Sequence, residues 1–312
     1  MLVCRVQSID ATCNDAVARP CCRLSGFHRR PRSRLDRYPS DMTDAEWAQI
    51  DPLLPEPASL VLGAGRPEEH CRRDIVNGIY YVLDNGIKWR ALPADFPPWK
   101  TVYNYFTAWE KAGVTERLLD TLRDRARLRD GRAATPSAGV VDSASVKAAE
   151  TVGRNSRGYD AAKKINGRKR HIVVDTLGLL LVVMVTAANV QDRDAAKPLL
   201  EKLRKSFCRI RLVFADSGYA GKLVTWAVEN LKVKLQIVKR TDKNSFQVLP
   251  RRWVVERTLA WITSHRRCAR DYERLPKHHE SMVRWAAIRL LSRQLARHKQ
   301  DQKQRSHRKI RV

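Results

Sequence analysis

The chain is 312 residues long and 43% hydrophobic, enough for a large core and for two domains. Sixty Lys and Arg against 33 Asp and Glu give a formal net charge of +27, a balance that suits a polyanionic partner bound through neutralised phosphates and is shared by ribosomal and RNA-binding proteins. Seven Cys without a C-x-x-C pair argue against a disulfide framework or a thiolate metal cluster and fit a reducing cytosol, and the longest apolar run, Leu177 to Val185 broken by Gly178, is too short to span a membrane.

Residues 1–37 are Arg-rich, lack the apolar stretch of a secretory signal and read as a disordered basic extension. A helical segment, 38–130, follows. Thr43-Asp44-Ala45-Glu46 fits a capping box that opens its first helix, which Pro52, Pro55 and Pro57 end. A second helix is predicted from about Arg72 to Asn85, with Ile75, Ile79 and Val82 at helical spacing and Gly86 as the stop. Pro98 can occupy the first turn of a third, with Val102, Phe106 and Trp109 on one stripe. Helix, connection, helix is the outline of a helix-turn-helix, whose later helix would offer Lys100, Thr101, Asn104 and Thr107 to a DNA groove. A small helical domain with a solvated polar face fits the same periodicity equally well.

Gly, Pro and charge at Arg129 to Pro136 mark a boundary, and residues 131–275 read as a second domain. Apolar β-branched runs at 139–142, 171–175, 179–186, 210–216 and 234–238 alternate with helical stretches at about 194–206 and 219–230, before a last helix at 251–267. That order predicts a mixed α/β sheet with flanking helices. Residues 276–312 read as a helical to disordered tail; Arg284 to Arg311 carries ten Lys and Arg and one acid, Asp301.

Three carboxylates directly follow apolar stretches: Asp142 after Gly139-Val140-Val141, Asp216 after Leu212-Val213-Phe214-Ala215, and Glu256 after Trp253-Val254-Val255. Each should stand at the rim of a core, where a low dielectric strengthens metal binding and unpaired carboxylates would repel one another. Phosphodiester displacement uses two divalent ions roughly 3.5–4 Å apart, and hard ions take carboxylate oxygens. Asp175 and Asp84 have the same apolar prelude but read as turn and helix-end residues. Taken singly, each of the three bets fits a structural role better than a catalytic one; as a set, one Asp on a strand, one at a strand end and one Glu on a later helix, they favour the metal reading.

Between the two Asp residues, Lys163, Lys164, Arg168, Lys169 and Arg170 form a basic run that can face phosphates, with a solvated loop-to-strand edge as the plainer reading. His171, His265, His278 and His279 are scattered and are read neither as ligands nor as a general base.

Four segments, in order, resemble the DDE transposases of insertion sequences, specifically the insertion sequence five family. They are Tyr38-Pro39-Ser40-Asp41-Met42-Thr43-Asp44-Ala45-Glu46-Trp47, Gly86-Ile87-Lys88-Trp89-Arg90-Ala91-Leu92-Pro93, Gly167-Arg168-Lys169-Arg170-His171-Ile172-Val173-Val174-Asp175-Thr176-Leu177-Gly178 and Arg251-Arg252-Trp253-Val254-Val255-Glu256-Arg257-Thr258. The resemblance covers residues 38 to about 290. It implies a ribonuclease-H-like catalytic domain behind a helical DNA-binding domain, with Asp142, Asp216 and Glu256 holding Mg²⁺ or Mn²⁺, as two ions, and Arg252 in the signature around the last acid. In relatives with the fuller signature a Tyr and a Lys stand seven residues before and after the Glu; here those places hold Leu249 and Thr263, while His265, Arg266 and Arg267 lie close enough along the chain to supply charge.

The implied activity is hydrolysis at the ends of a mobile element, freeing a 3′-OH that attacks target DNA without a covalent protein–DNA link. The implied partners are double-stranded DNA, as terminal repeats and target, and a second copy of the chain on DNA, with no membrane and a nucleoid-associated, cytoplasmic location. The rival readings are a catalytically inactive, transposase-derived DNA-binding protein and a ribonuclease-H-like nuclease that cuts without joining.

Overall fold

A computed structural model of the chain describes residues 37–56, 68–238 and 252–310, the side chains of 252 and 298–310 excepted. The expected extension over 1–37 lies outside the described residues but for Arg37, as does Leu249. The helical segment opens at α1 (Asp44–Ile50), where the capping box forms: the Glu46 amide donates to Thr43 Oγ1 at 3.3 Å and the Thr43 amide to Glu46 Oε2 at 3.0 Å. Helix α2 (Arg72–Asn85) ends as expected on Gly86, at φ +67°, whose amide donates to the Val82 carbonyl. Residues 86–98, with one 3-10 turn at Trp89–Ala91, lead to α3 (Trp99–Lys111), capped at Pro98, and then to α4 (Val114–Arg129).

Among the described residues the sheet has six strands: β1 (Ala138–Lys147), β2 (Gly158–Asp160), β3 (Ile165–Asp175), β4 (Leu180–Ala187), β5 (Leu212–Ala215) and β6 (Lys234–Ile237). β3 pairs antiparallel with β1 on one edge and with β4 and β2 on the other, whereas β5 runs parallel to β1 and β6 parallel to β5. Helices α5 (Asp192–Ser206) and α6 (Lys222–Leu231) supply the crossovers. Apart from the three-residue β2, three antiparallel strands are followed by two parallel ones, with β1 central, the expected ribonuclease-H-like layout.

Strand alternation sorts the core into two layers. Val141, Val173, Val213 and Ala215 pack with Leu199, Leu203, Leu223 and Ala227 of α5 and α6. Val140, Ile172, Val174 and Phe214 face the opposite way, into one cluster with α7 (Arg252–Ser264), α9 (Pro276–Ile310), α1, α2, α3 and α4. Only the short α8 (Arg266–Ala269) separates α7 from the segment leading to α9. The amino-terminal helices thus share the core of the sheet: Trp47, Ile79, Phe106 and Leu118 belong to the same cluster as Ile172.

Two sequence expectations change here. Residues 284–297, expected within a basic tail, lie on α9 with Trp285, Ile288, Leu291 and Leu295 buried; Arg284 pairs with Glu116 at 2.7 Å, and the buried Arg289 pairs with Asp84 at 2.6 Å and donates to the Ser40 carbonyl at 2.8 Å. Asp175 is the turn residue expected, accepting from the Leu177 and Leu179 amides at 2.9 Å each, but it also receives a buried ion pair from Arg127 of α4.

The turn from β3 to β4 abuts α7 at Gly178, at φ +87°, where an added Cβ would stand 3.0 Å from Arg257 Nη2 and from Thr258 Oγ1. Gly131, at φ +69°, has nothing within 4 Å of the same position. Gly131→Ala should therefore cost only backbone strain, about 1 kcal/mol, and Gly178→Ala should cost more, about 2 kcal/mol or above, because α7 must also give way. Urea unfolding midpoints compare them; equal losses would contradict the tight turn-to-helix contact.

Candidate active site

Parallel pairing of β1 with β5 sets Gly139 opposite Val213 and Val140 opposite Phe214. Asp142 stands on β1 two residues past the last of these pairs, and Asp216, in extended backbone, directly follows the end of β5. Because side chains alternate, both carboxylates share the face of Val140 and Phe214, which is the face covered by α7. Each is partly buried, at the rim of the core as expected. The Ser143 amide donates to Asp142 Oδ1 at 2.7 Å, and Asp216 caps the turn Ser217–Tyr219 by accepting from the Gly218 amide at 2.9 Å.

Glu256 is exposed on α7, next to the buried Val254 and Val255 that seat the helix on this face. Thr258 Oγ1 donates to the Gly178 carbonyl at 2.7 Å and Arg257 Nη2 to the Leu177 carbonyl at 2.8 Å, so α7 is held by the β3–β4 turn. The Arg257 guanidinium also stacks on Trp253 and Trp261, 4.5 Å from each ring centre. Asp142 therefore stands midway along β1, Asp216 just past the end of the neighbouring β5, and Glu256 on the helix over the same face; among the described residues, no three His, Cys, Asp or Glu side chains close into a metal-holding group.

The remaining predicted contacts divide. Lys100 and Asn104 are exposed on α3, and Lys163 and Lys164 are exposed in the β2–β3 hairpin. The side chain of Arg252 lies outside the described residues. Arg168, Lys169 and Arg170 are not a phosphate-facing run: all three are buried. Arg168 donates to Asp271 Oδ2 at 2.9 Å, to the Glu273, Arg274 and Ser156 carbonyls and to Ser156 Oγ. Arg170 donates to the Cys268 carbonyl at 2.9 Å, and Lys169 reaches Asp192 at 3.1 Å and the Val190 carbonyl at 3.0 Å. The cause is alternation along an inner strand. Arg168 and Arg170 share the face of Ile172 and are covered by residues 268–274, while Lys169 shares the face of Val173 and meets the start of α5. A buried guanidinium must find carbonyls and a carboxylate, and its partners lie about a hundred residues away in sequence.

The histidines have local partners. His265 Nδ1 stands 2.6 Å from Asp84, which is held below the ordinary carboxylate range because His265 and Arg289 together outweigh the opposing effect of burial. His279 stands 3.1 Å from Asp271. Two residues that the sequence did not single out also matter. Asp192 opens α5 and accepts from Ser143 Oγ at 2.8 Å. Tyr219 is buried, and its hydroxyl is held well above the usual phenol range first by burial and then by the nearby charges of Asp192, Asp142 and Asp216. An Asp in a helix's first turn and an aromatic three residues past a proposed ligand were visible signals, but only packing brings them to β1.

His171 is fully buried, 2.9 Å from Thr186 Oγ1, and burial pushes its pKa down to about 4. Since the folded value lies below the unfolded one, its contribution to stability is complete above pH 6.5 and is lost as pH falls toward 4, by roughly 3 kcal/mol. His171→Gln should flatten the stability profile between pH 6.5 and pH 4 when measured by urea unfolding; an unchanged slope would contradict a neutral buried imidazole.

Comparison with known proteins gives two family matches. Residues 42–119 match the family described as "Putative transposase of IS4/5 family (DUF4096)", and residues 133–291 match "Transposase DDE domain". The "Putative transposase for insertion sequence element IS402" of Burkholderia cepacia is 32% identical over 125 residues, 38% of this chain and 59% of the relative. The chain thus spans about three fifths of that relative's length. The "Insertion element IS402 uncharacterized 16.2 kDa protein" of the same organism is 34% identical over 113 residues, covering 34% of this chain and 71% of the relative. A solved structure, "Crystal structure of the Mos1 Strand Transfer Complex", aligns over 74% of this chain and 78% of its own with 11% identity and a TM-score of 0.23, too loose a superposition to bear on the argument. With more than half its length inside the second family match, the chain belongs to the transposase DDE domain family.

Proposed function

We propose that the chain is a DNA transposase, cutting the ends of a mobile element and joining them to target DNA. The observation that supports this reading is the parallel pairing of β1, which bears Asp142, with β5, which ends directly before Asp216, under the face covered by α7, the helix of Glu256. Their donor chemistry fits the cation such a reaction uses: carboxylate oxygens from separate elements, the set that Mg²⁺ or Mn²⁺ prefers over nitrogen or sulfur. Two such ions, when bound, would stabilise charge on the attacking and leaving oxygens of the phosphodiester.

In this reading the chain's own groups do the rest. Asp142 and Asp216 hold fixed negative charge on one face of the sheet, oriented by the Ser143 and Gly218 amides, and Glu256 completes the acidic set from above. Lys163 and Lys164, exposed beyond the edge of the sheet, bind DNA backbone, as do Arg252 and the exposed Lys100 and Asn104 of α3. The excess of cationic side chains raises affinity for any duplex and draws the protein to nucleoid DNA. Joining two element ends calls for two copies of the chain on one DNA complex. No helix among the described residues is long and apolar enough to cross a membrane.

Asp142→Asn removes one ligand charge while keeping side-chain size. It should leave binding to a duplex unchanged and lower Mg²⁺-dependent nicking of DNA from the flanks of the chain's own coding sequence by about a thousandfold, the loss of about 4 kcal/mol of transition-state stabilisation. Gel shift and nicking assays on the same preparations check this; nicking that survives the substitution with binding intact would overturn the assignment.

A further inference from the structure

The face of β1 opposite the acidic pair carries a polar contact that the proposed reaction leaves unused. Asp142 and Ser143 are consecutive strand residues, so their side chains point to opposite layers. Toward α5, the Ser143 hydroxyl donates to Asp192 Oδ1 at 2.8 Å, and Lys169 Nζ stands 3.1 Å from the same oxygen. Lys169 is anchored in turn by the Val190 carbonyl at 3.0 Å, and its side chain is only 8% exposed. Toward α7, the amide of the same Ser143 donates to Asp142 Oδ1 at 2.7 Å. One residue is therefore gripped from behind by its side chain while its main chain orients the carboxylate in front.

A contact of this kind is a poor means of holding a strand in place. Burying an ammonium against a carboxylate carries a desolvation cost that an apolar pair of similar volume avoids, so its net contribution to stability is small. What it supplies is direction, because hydrogen bonds restrict rotation where apolar contacts do not. Asp192 meets β1 through Ser143, and its charge is matched by Lys169.

We propose that Asp192, fixed by Lys169, is a positioning residue that acts through Ser143 to hold the Asp142 carboxylate in the orientation a cation requires. This rests on the reading of Asp142 as a metal ligand. The second-layer partner of a ligand commonly sets metal affinity within roughly ten- to a hundredfold.

The test is Mn²⁺ binding by the full chain, followed by electron paramagnetic resonance, alongside melting temperature. Asp142→Asn should abolish tight binding. Ser143→Ala and Asp192→Asn should weaken it about tenfold or more, and Ser143→Thr, which keeps the hydroxyl, should restore it. Should Asp192→Asn fail to fold, the Ser143→Ala and Ser143→Thr pair decides. Wild-type Mn²⁺ affinity in Ser143→Ala, even with a lowered melting temperature, would overturn the positioning role. Equal binding by the wild type and Asp142→Asn would instead remove the metal-site reading and this inference with it.

Discussion

The parallel pairing of β1 with β5 is the contact on which the candidate site depends. Asp142 and Asp216 are 74 residues apart in the chain, and the crossover through α5 is what returns the second strand alongside the first. Because side chains alternate, a slip of one residue in this register would place the two carboxylates on opposite faces. The register is guarded by the apolar residues on both strands: Val140 and Phe214 fill one core, Val141, Val213 and Ala215 the other. Burial of the Val and Phe side chains, each worth about 1.5–3 kcal/mol, makes any slipped pairing costly.

The helix carrying Glu256 is held by a different set of contacts. α7 lies on the face of the sheet shared with the amino-terminal helices and α9, and the β3–β4 turn locks against it at Gly178, Arg257 and Thr258. The same turn is tied to α4 through Arg127 and Asp175, and the end of α7 to α2 through His265 and Asp84. The helical segment therefore does more than precede the sheet: its core, the buried Arg127–Asp175 pair and the His265–Asp84 contact fix where α7 sits. Buried pairs of this sort contribute little net stability while demanding one geometry, and breaking either partner alone is expensive.

Much of this was legible in the sequence where the signal is local. The Thr43 and Glu46 capping box, the end of α2 at Gly86, the strand runs and the rim positions of Asp142 and Asp216 all follow from spacing, propensity and turn chemistry. The basic residues were not legible, because a charged run reads as solvated unless its partners are known. Arg168 is buried by Asp271 and by carbonyls from 273 and 274, and Arg289 by Asp84, pairings that only the folded chain creates. For the same reason α9 looked like a tail: its Arg residues mask the buried stripe of Trp285, Ile288 and Leu291. Asp192 and Tyr219 carry no local mark of this role in the sequence, because only the folded chain brings them to Ser143 and to the charges of Asp142 and Asp216.

The most direct measurement is strand transfer. Labelled duplex from either flank of the chain's own coding sequence is mixed with the protein, an unlabelled target plasmid and Mg²⁺, with a chelator in parallel. If β1, the end of β5 and α7 together form the acidic centre of a transposase, label becomes covalently attached to the plasmid with Mg²⁺, and neither the chelated sample nor Asp216→Asn yields joined product. Binding without any Mg²⁺-dependent cutting, or cutting that never yields joined DNA, would contradict it.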